Sequence, residues 1–282
     1  MAISMDEKAA NDGDKLKHPL LLEVLARCKA WDSLTYAESH AGAGKYCAAD
    51  QLADKPHIAN LLKLVSAVKD KPNEDAAGGR YYHLLQEWWS DENRQGAYPG
   101  SVLQAALFLT SQKVKAEFCV TEAHKDTYDR LVKAVTDYGI TPQHAKFQNK
   151  IDWLTEKDSL VLLLDPLGFG EDFGKAREKK LNEGGMDLPT LTEVLTACWE
   201  KKSAVVLLWF GFGNKGGHVK RGMAYGWLKC ICEQKGSSFS CYHAKSYYTF
   251  IMGIGKGREV TDQLLQLDWG KSWLSKIIHK GL

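Results

Sequence analysis

The chain has 282 residues, 44% of them hydrophobic and 26% charged, which is ordinary for a globular protein. A chain of this length buries a sizeable core and needs no metal or disulfide staple to fold. The formal net charge of +2, from 37 basic and 35 acidic residues, neither demands nor excludes a nucleic-acid partner; only a clustered basic face would count.

The seven cysteines are odd in number, scattered, and contain no C-x-x-C pair, so reduced and mostly buried thiols are expected. No H-x-x-x-H or H-x-x-E-H spacing occurs, and no metal site is expected. Residues 1–14 are polar and acidic, without an apolar signal core, and no apolar run approaches the roughly 20 residues of a membrane span. The expectation is a soluble, cytoplasmic protein without membrane association. Its oligomeric state is not readable.

In chain order, residues 15–30 predict a helix from the spacing of Leu16, Leu20, Leu21, Val24, Leu25 and Cys28. A strand over 34–38 follows, ending in the turn His40-Ala41-Gly42-Ala43-Gly44. Residues 47–97 read as a helical insertion, with amphipathic stretches over 57–68 and 81–89 and a loop at Asp75–Gly79. After Tyr98-Pro99-Gly100-Ser101 come a helix over 102–110, a strand over 117–122 and a helix over 124–137. Near-pure apolar runs at 160–164 and 204–210 suit parallel strands covered on both faces. Segments 239–243 and 247–254 lie too close together for a helix between them, so an antiparallel hairpin is expected, then a final helix over 260–278. The sum is one α/β domain over 1–282, a Rossmann-like, mostly parallel sheet with a C-terminal antiparallel hairpin. Ligands of such sheets bind beyond the carboxyl ends of the strands, where strand order reverses.

Three nucleotide-type readings compete for the glycine turn. A P-loop fails because Ser39 stands at its first glycine and Tyr46 at its metal-binding hydroxyl. A dinucleotide turn fails because Cys47 stands at its third glycine. An S-adenosylmethionine (SAM) site needs an acid ending the first strand, a short G-x-G turn for close backbone approach, and a second acid whose two oxygens take both ribose hydroxyls. Glu122, ending its strand, is placed for that role. The plain alternative is a tight turn beside a solvated strand end.

Several segments recur in a recognisable order: Asn11-x-x-Asp14-x-Leu16-Lys17-His18, His40-Ala41-Gly42-Ala43-Gly44-x-Tyr46, Tyr98-Pro99-Gly100-Ser101, Thr121-Glu122-x-His124 and Asp165-Pro166. Together they resemble the bacterial 23S ribosomal RNA adenine-N6 methyltransferases of the single-domain type with a helical insertion. The resemblance implies a SAM-dependent methyltransferase fold and SAM contacts from His18, His40, Gly42, Gly44, Ser101, Glu122 and Asp165. It sets Asn149, within Gln148-Asn149-Lys150, where that family frames the adenine of SAM, and it implies substrate contact from Lys17. Read without the resemblance, His18 is a packed core histidine, His40 a turn residue and Ser101 a helix N-cap.

That family carries an Asp-Pro-Pro-Tyr element after the fourth strand. Its carboxylate and a backbone carbonyl accept both hydrogens of an exocyclic amine, localising a conjugated lone pair for attack on the sulfonium methyl. Here the element reads Asp165-Pro166-Leu167-Gly168-Phe169. Asp165 and Pro166 carry the implied chemistry, and Phe169 is the candidate for stacking on a flipped base. The family's aromatic amino-terminal segment has no counterpart in residues 1–10. Basic clusters at 175–180 and 215–221 are candidates for phosphate contact, although such short runs are usually solvated faces, and Trp88 and Trp89 are candidates for a stacking platform, with at least one of them expected in the core. The expected activity is methylation of an amino group of an RNA base, with ribosomal RNA as partner. The alternatives are a SAM- or RNA-binding protein without catalysis, and a small-molecule or peptide methyltransferase.

Overall fold

The first element is a helix that is buried on every side. α1 (Asp12–Cys28) starts where the Asn11 side chain accepts the backbone N–H groups of Gly13 and Asp14, and every residue from Leu16 to Ala26 is buried. A helix without a solvated face must lie inside the molecule. A computed structural model describes residues 9–47, 57–166, 185–211 and 217–280, and in it α1 lies against the sheet and other helices.

The strands, in chain order, are β1 (Leu34–Glu38), β2 (Lys45–Cys47), β3 (Ala97–Pro99), β4 (Glu117–Glu122) and β5 (Gln143–His144). Then come β6 (Ser159–Leu164), β7 (Ser203–Gly211), β8 (Ser238–Ala244), β9 (Tyr247–Gly255) and β10 (His279–Lys280). Around them run α2 (His57–Ser66), α3 (Gly79–Ser90), α4 (Ser101–Ser111), α5 (Lys125–Val135) and α6 (Asp152–Thr155). The last helices are α7 (Leu188–Trp199), α8 (Gly217–Gln234) and α9 (Gly257–Leu265).

The main sheet has the order β10-β8-β9-β7-β6-β1-β4-β5. β5, β4, β1, β6 and β7 are parallel, while β9, β8 and β10 are added antiparallel. This is the Rossmann-like α/β sheet with a terminal antiparallel hairpin. β1 and β6 are buried along their whole length, which is why β6 reads as a nearly pure apolar run, whereas β1 also buries Thr35 and Glu38. Alternate residues serve opposite faces: Val161 and Leu163 join one core cluster, Leu160, Leu162 and Leu164 the other. From β1 the chain moves outward through β4 to β5, then returns to β6 on the other side of β1. Strand order therefore reverses beside β1, and a crevice opens there.

β2 and β3 pair antiparallel, Tyr46 opposite Tyr98, and the helical insertion with α2 and α3 lies between them. Trp88 and Trp89 both donate their indole N–H to the Ala97 carbonyl, at 3.1 and 2.6 Å. They are 4% and 7% exposed, so both rings, and not only one of them, anchor the insertion in the core, and neither is open as a stacking platform.

The expected final helix over 260–278 is also corrected. α9 ends at Leu265, a short 3-10 helix spans Trp269–Lys271, and turns lead to β10, which pairs with β8. Tertiary contacts outweigh helical spacing here. Trp269, Leu274 and Ile278 are buried in the turns, and Trp273 donates its N–H to Gly78 O at 2.9 Å while stacking on Tyr81.

None of the seven cysteines forms a disulfide, and Cys28, Cys198, Cys232 and Cys241 are buried. Among the described residues, no helix is long and apolar enough to cross a membrane, and no group of three metal-binding side chains gathers.

Candidate active site at the strand ends

Three neighbouring parallel strands end in acids: β1 in Glu38, β4 in Glu122, and β6 immediately before Asp165. The turn after β1 is tied to both neighbours. Ser39 N–H donates to Leu163 O, and Ala41 N–H to Thr121 O, each at 3.1 Å. The Ser39 hydroxyl accepts the Asp165 N–H at 3.2 Å and bonds His40 Nδ1 at 2.7 Å. Glu122 accepts the Gly42 N–H on Oε2 at 3.0 Å and the His124 N–H on Oε1 at 2.8 Å. The loops carrying His40, Glu122 and Asp165 are thus hydrogen-bonded into one assembly.

Gly42 sits at φ +63°, and a Cβ there would collide with the Tyr46 hydroxyl. Only glycine suits that backbone and that approach. Gly44, at φ +69°, has another task. A Cβ there would lie 3.0 Å from Ala134 and Leu131 of α5, and its carbonyl accepts the Gly100 N–H at 2.7 Å. Gly44 packs the turn against a helix rather than facing the crevice.

Glu38 is fully buried and accepts hydrogen bonds from the Tyr36 hydroxyl at 2.5 Å and from Ser101. Burial pushes its pKa up to about 8, against the pull of those two donors and of Lys17. The N-cap reading of Ser101 is corrected: Gly100 is the N-cap of α4, and the Ser101 hydroxyl turns to Glu38 instead.

Lys17, 5% exposed, pairs with Asp165 Oδ2 and with Asp14 Oδ1, the latter at 3.1 Å. Burial works against its charge, but Asp165 and Asp14 outweigh it and hold the ammonium protonated. Burial lifts Asp165 above the usual carboxylate range while Lys17 draws it back. His18 is buried, and its Nδ1 meets the Tyr98 hydroxyl and, at 2.9 Å, the Gln104 amide. An amide nitrogen only donates, so Nδ1 is the acceptor and Nε2 carries the proton. Burial first, with Lys17 adding to it against Asp14, pushes the His18 pKa down to about 3.

A cavity of about 100 Å³ opens among these groups, lined by His18, His40, Gly42, Ser101, Asp165 and Pro166. Lys17 also lines it, as do Asp14, Tyr46 and Trp209, which no motif singles out as ligand contacts. Trp209 ends an apolar strand and looks like core in sequence. Glu122 borders the cavity through Gly42. Asn149 is exposed on the 3-10 helix Phe147–Lys150 and is not part of the lining. Phe169, the cluster at 175–180 and the side chains of 215–221 lie outside the described residues.

The larger groove, about 930 Å³, lies between α6 and α7, from Leu188 to Glu200 along α7, and none of the strand-end acids lines it.

No protein-family model matches the chain, and no curated protein does. Among solved structures it is similar to protein LPL1258 of Legionella pneumophila, of the family DUF519. That likeness has a TM-score of 0.63 and 16% identity over 97% of this chain and 98% of that one. A second, PH1948 of Pyrococcus horikoshii, named as a proposed RNA methyltransferase, is 13% identical over 70% of this chain and 96% of that one. Its TM-score of 0.33 is too low to carry an argument. What the first likeness establishes is a fold shared along nearly the whole length of both chains.

Proposed function

We propose that this protein is a SAM-dependent methyltransferase acting on an exocyclic amino group, with an RNA base as acceptor. The observation that carries the reading is the convergence of Asp165, the glycine turn and Glu122 at the point where strand order reverses. The resemblance of Asp165-Pro166 and the surrounding segments to the ribosomal RNA adenine-N6 methyltransferases supplies the acceptor class.

The donor set suits SAM. Each Glu122 oxygen accepts one backbone N–H, leaving a lone pair on each for a ribose hydroxyl. Among the described residues, the cavity walls carry the carboxylates Asp14 and Asp165 against the single ammonium of Lys17. A neutral His18 leaves an excess of negative charge facing a sulfonium. The cavity of about 100 Å³ is smaller than the roughly 300 Å³ of whole-ligand pockets, and matches the reacting end of the cofactor only.

Bound SAM supplies an electrophilic methyl group. The chain's own part is to hold the nitrogen. Lys17 takes Asp165 Oδ2, which leaves Oδ1 to accept one amino hydrogen, and the Pro166 carbonyl is the neighbouring acceptor for the other. Fixing both hydrogens turns the nitrogen lone pair out of conjugation, so positioning and preorganised acceptors supply most of the rate.

The test is incubation with methyl-labelled SAM and fractionated cell extract. Label is expected in the RNA fraction. Asp165→Ala is expected to lower transfer by about 100-fold or more while SAM affinity stays within about tenfold. Full turnover in that variant removes Asp165 from the chemistry. Label in a small-molecule or protein fraction instead replaces the acceptor class, and label in no fraction means a binding protein.

A further inference from the structure

We propose that Trp209 is a positioning residue that orients Asp165 through Lys17. The inference rests on the proposed function for its consequence in catalysis, but its geometry stands apart from any reaction.

Trp209 comes from the carboxyl end of β7, and its ring stacks on Tyr247 at the start of β9, with centroids 5.6 Å apart and planes inclined by 20°. The Lys17 ammonium lies over the same ring, 5.3 Å from its centroid, and pairs with Asp165. A column Tyr247–Trp209–Lys17–Asp165 therefore runs from the antiparallel hairpin to the cavity. The indole lies close against the first turn of α1. A Cβ on Gly13 would sit 2.8 Å from Trp209 Cζ2, so the bare glycine leaves room for the ring. Among the described residues the buried indole N–H has no hydrogen-bond partner, and the described contacts of the ring are the Tyr247 stack, the Gly13 backbone and the Lys17 cation.

The physics is that of a cation on an aromatic face, strongest for tryptophan and stronger when desolvated, as Lys17 is. A lysine has four rotatable bonds, and two carboxylates compete for this one. The ring fixes where the ammonium sits, and the ammonium fixes which Asp165 oxygen remains open. Among the described residues, the charged and titratable groups around Asp165 are Asp14, Lys17 and His18 from α1, Tyr36, Glu38 and His40 from β1 and its turn, and Tyr46 from β2. Trp209 adds no charge to this set, so its effect on Asp165 has to pass through Lys17.

The experiment replaces Trp209 by progressively fluorinated tryptophans, which keep the ring's shape and weaken its face, and follows the Asp165 carboxyl by ¹³C NMR titration. The expected result is a midpoint that rises stepwise with fluorination, by about one pH unit at full substitution. Trp209→Phe is expected to fall within the series. A midpoint that stays constant across it overturns the proposal, since a merely packed ring would behave that way. If methyl transfer is found, kcat is expected to fall and its acid limb to move up with the midpoint, while KM holds. Absence of transfer sinks the proposed function and leaves the titration result standing.

Discussion

Glu38 shows how far a single side chain's environment can set its behaviour. A glutamate in the unfolded chain ionises near pH 4.3, whereas burial holds the Glu38 carboxyl protonated up to about pH 8. The folded state binds the extra proton between those values. Its contribution to stability is therefore complete below about pH 4 and is lost as pH rises through about 8. Urea unfolding is expected to show wild type losing stability relative to Glu38→Gln as pH rises from 5 to 8, by at most about 1.4 kcal/mol per pH unit. A difference independent of pH means that Glu38 is ionised. His18 is the opposite case: with its pKa pushed down to about 3, its contribution is present above about pH 6.5 and is lost as pH falls toward 3. Its ring resonances are expected to stay fixed from pH 5 to pH 8, and a midpoint inside that range refutes a neutral buried imidazole. At this scale the sequence carried much of the candidate site: the strand-end acids and the glycine turn are local patterns. The Lys17–Asp165 pair spans 148 positions, and no local pattern announces it. Ser101 misleads for a similar reason, because its partner Glu38 lies 63 positions away.

Elements were legible where apolar spacing alone decides them. β1 and β4 begin and end as their patterns predict, and the β8–β9 hairpin follows from two apolar runs with no room for a helix between them. β2 and β3 were not legible, since three-residue strands held by non-local pairing carry no periodicity. The carboxyl-terminal turns were misread as helix because Trp269 and Trp273 satisfy helical spacing while serving tertiary contacts. Those contacts make a prediction at the level of the element. Trp273→Ala removes the hydrogen bond to Gly78, at the amino end of α3, and the stack on Tyr81. Amide exchange in α3 is expected to quicken by about tenfold while β6 keeps its protection. Equal loss in both places means that the insertion and the sheet open together.

Across the whole molecule, one sheet separates two cores, and β6 feeds both through alternate residues. Leu162→Ala and Leu163→Ala are each expected to cost about 2–5 kcal/mol in urea unfolding, although their side chains point to opposite faces. A near-neutral Leu163→Ala means that its face is loosely packed. The crevice lies at the carboxyl ends of the central strands, and Ala41, Ala43 and Tyr46 of its loops belong to one of the two cores. The pairing of Cys47 with Ala97 has a consequence of its own. The described part of the insertion, residues 57–96, joins a stem of two short strands whose ends lead straight into the crevice loops, through Gly44 on one side and Gly100 on the other. It also packs on α1, and its Tyr81 hydroxyl bonds the Tyr98 hydroxyl at 2.9 Å, which in turn meets His18 at the cavity wall. Cutting the appendage away therefore reaches the crevice through Tyr81 as well as uncovering α1.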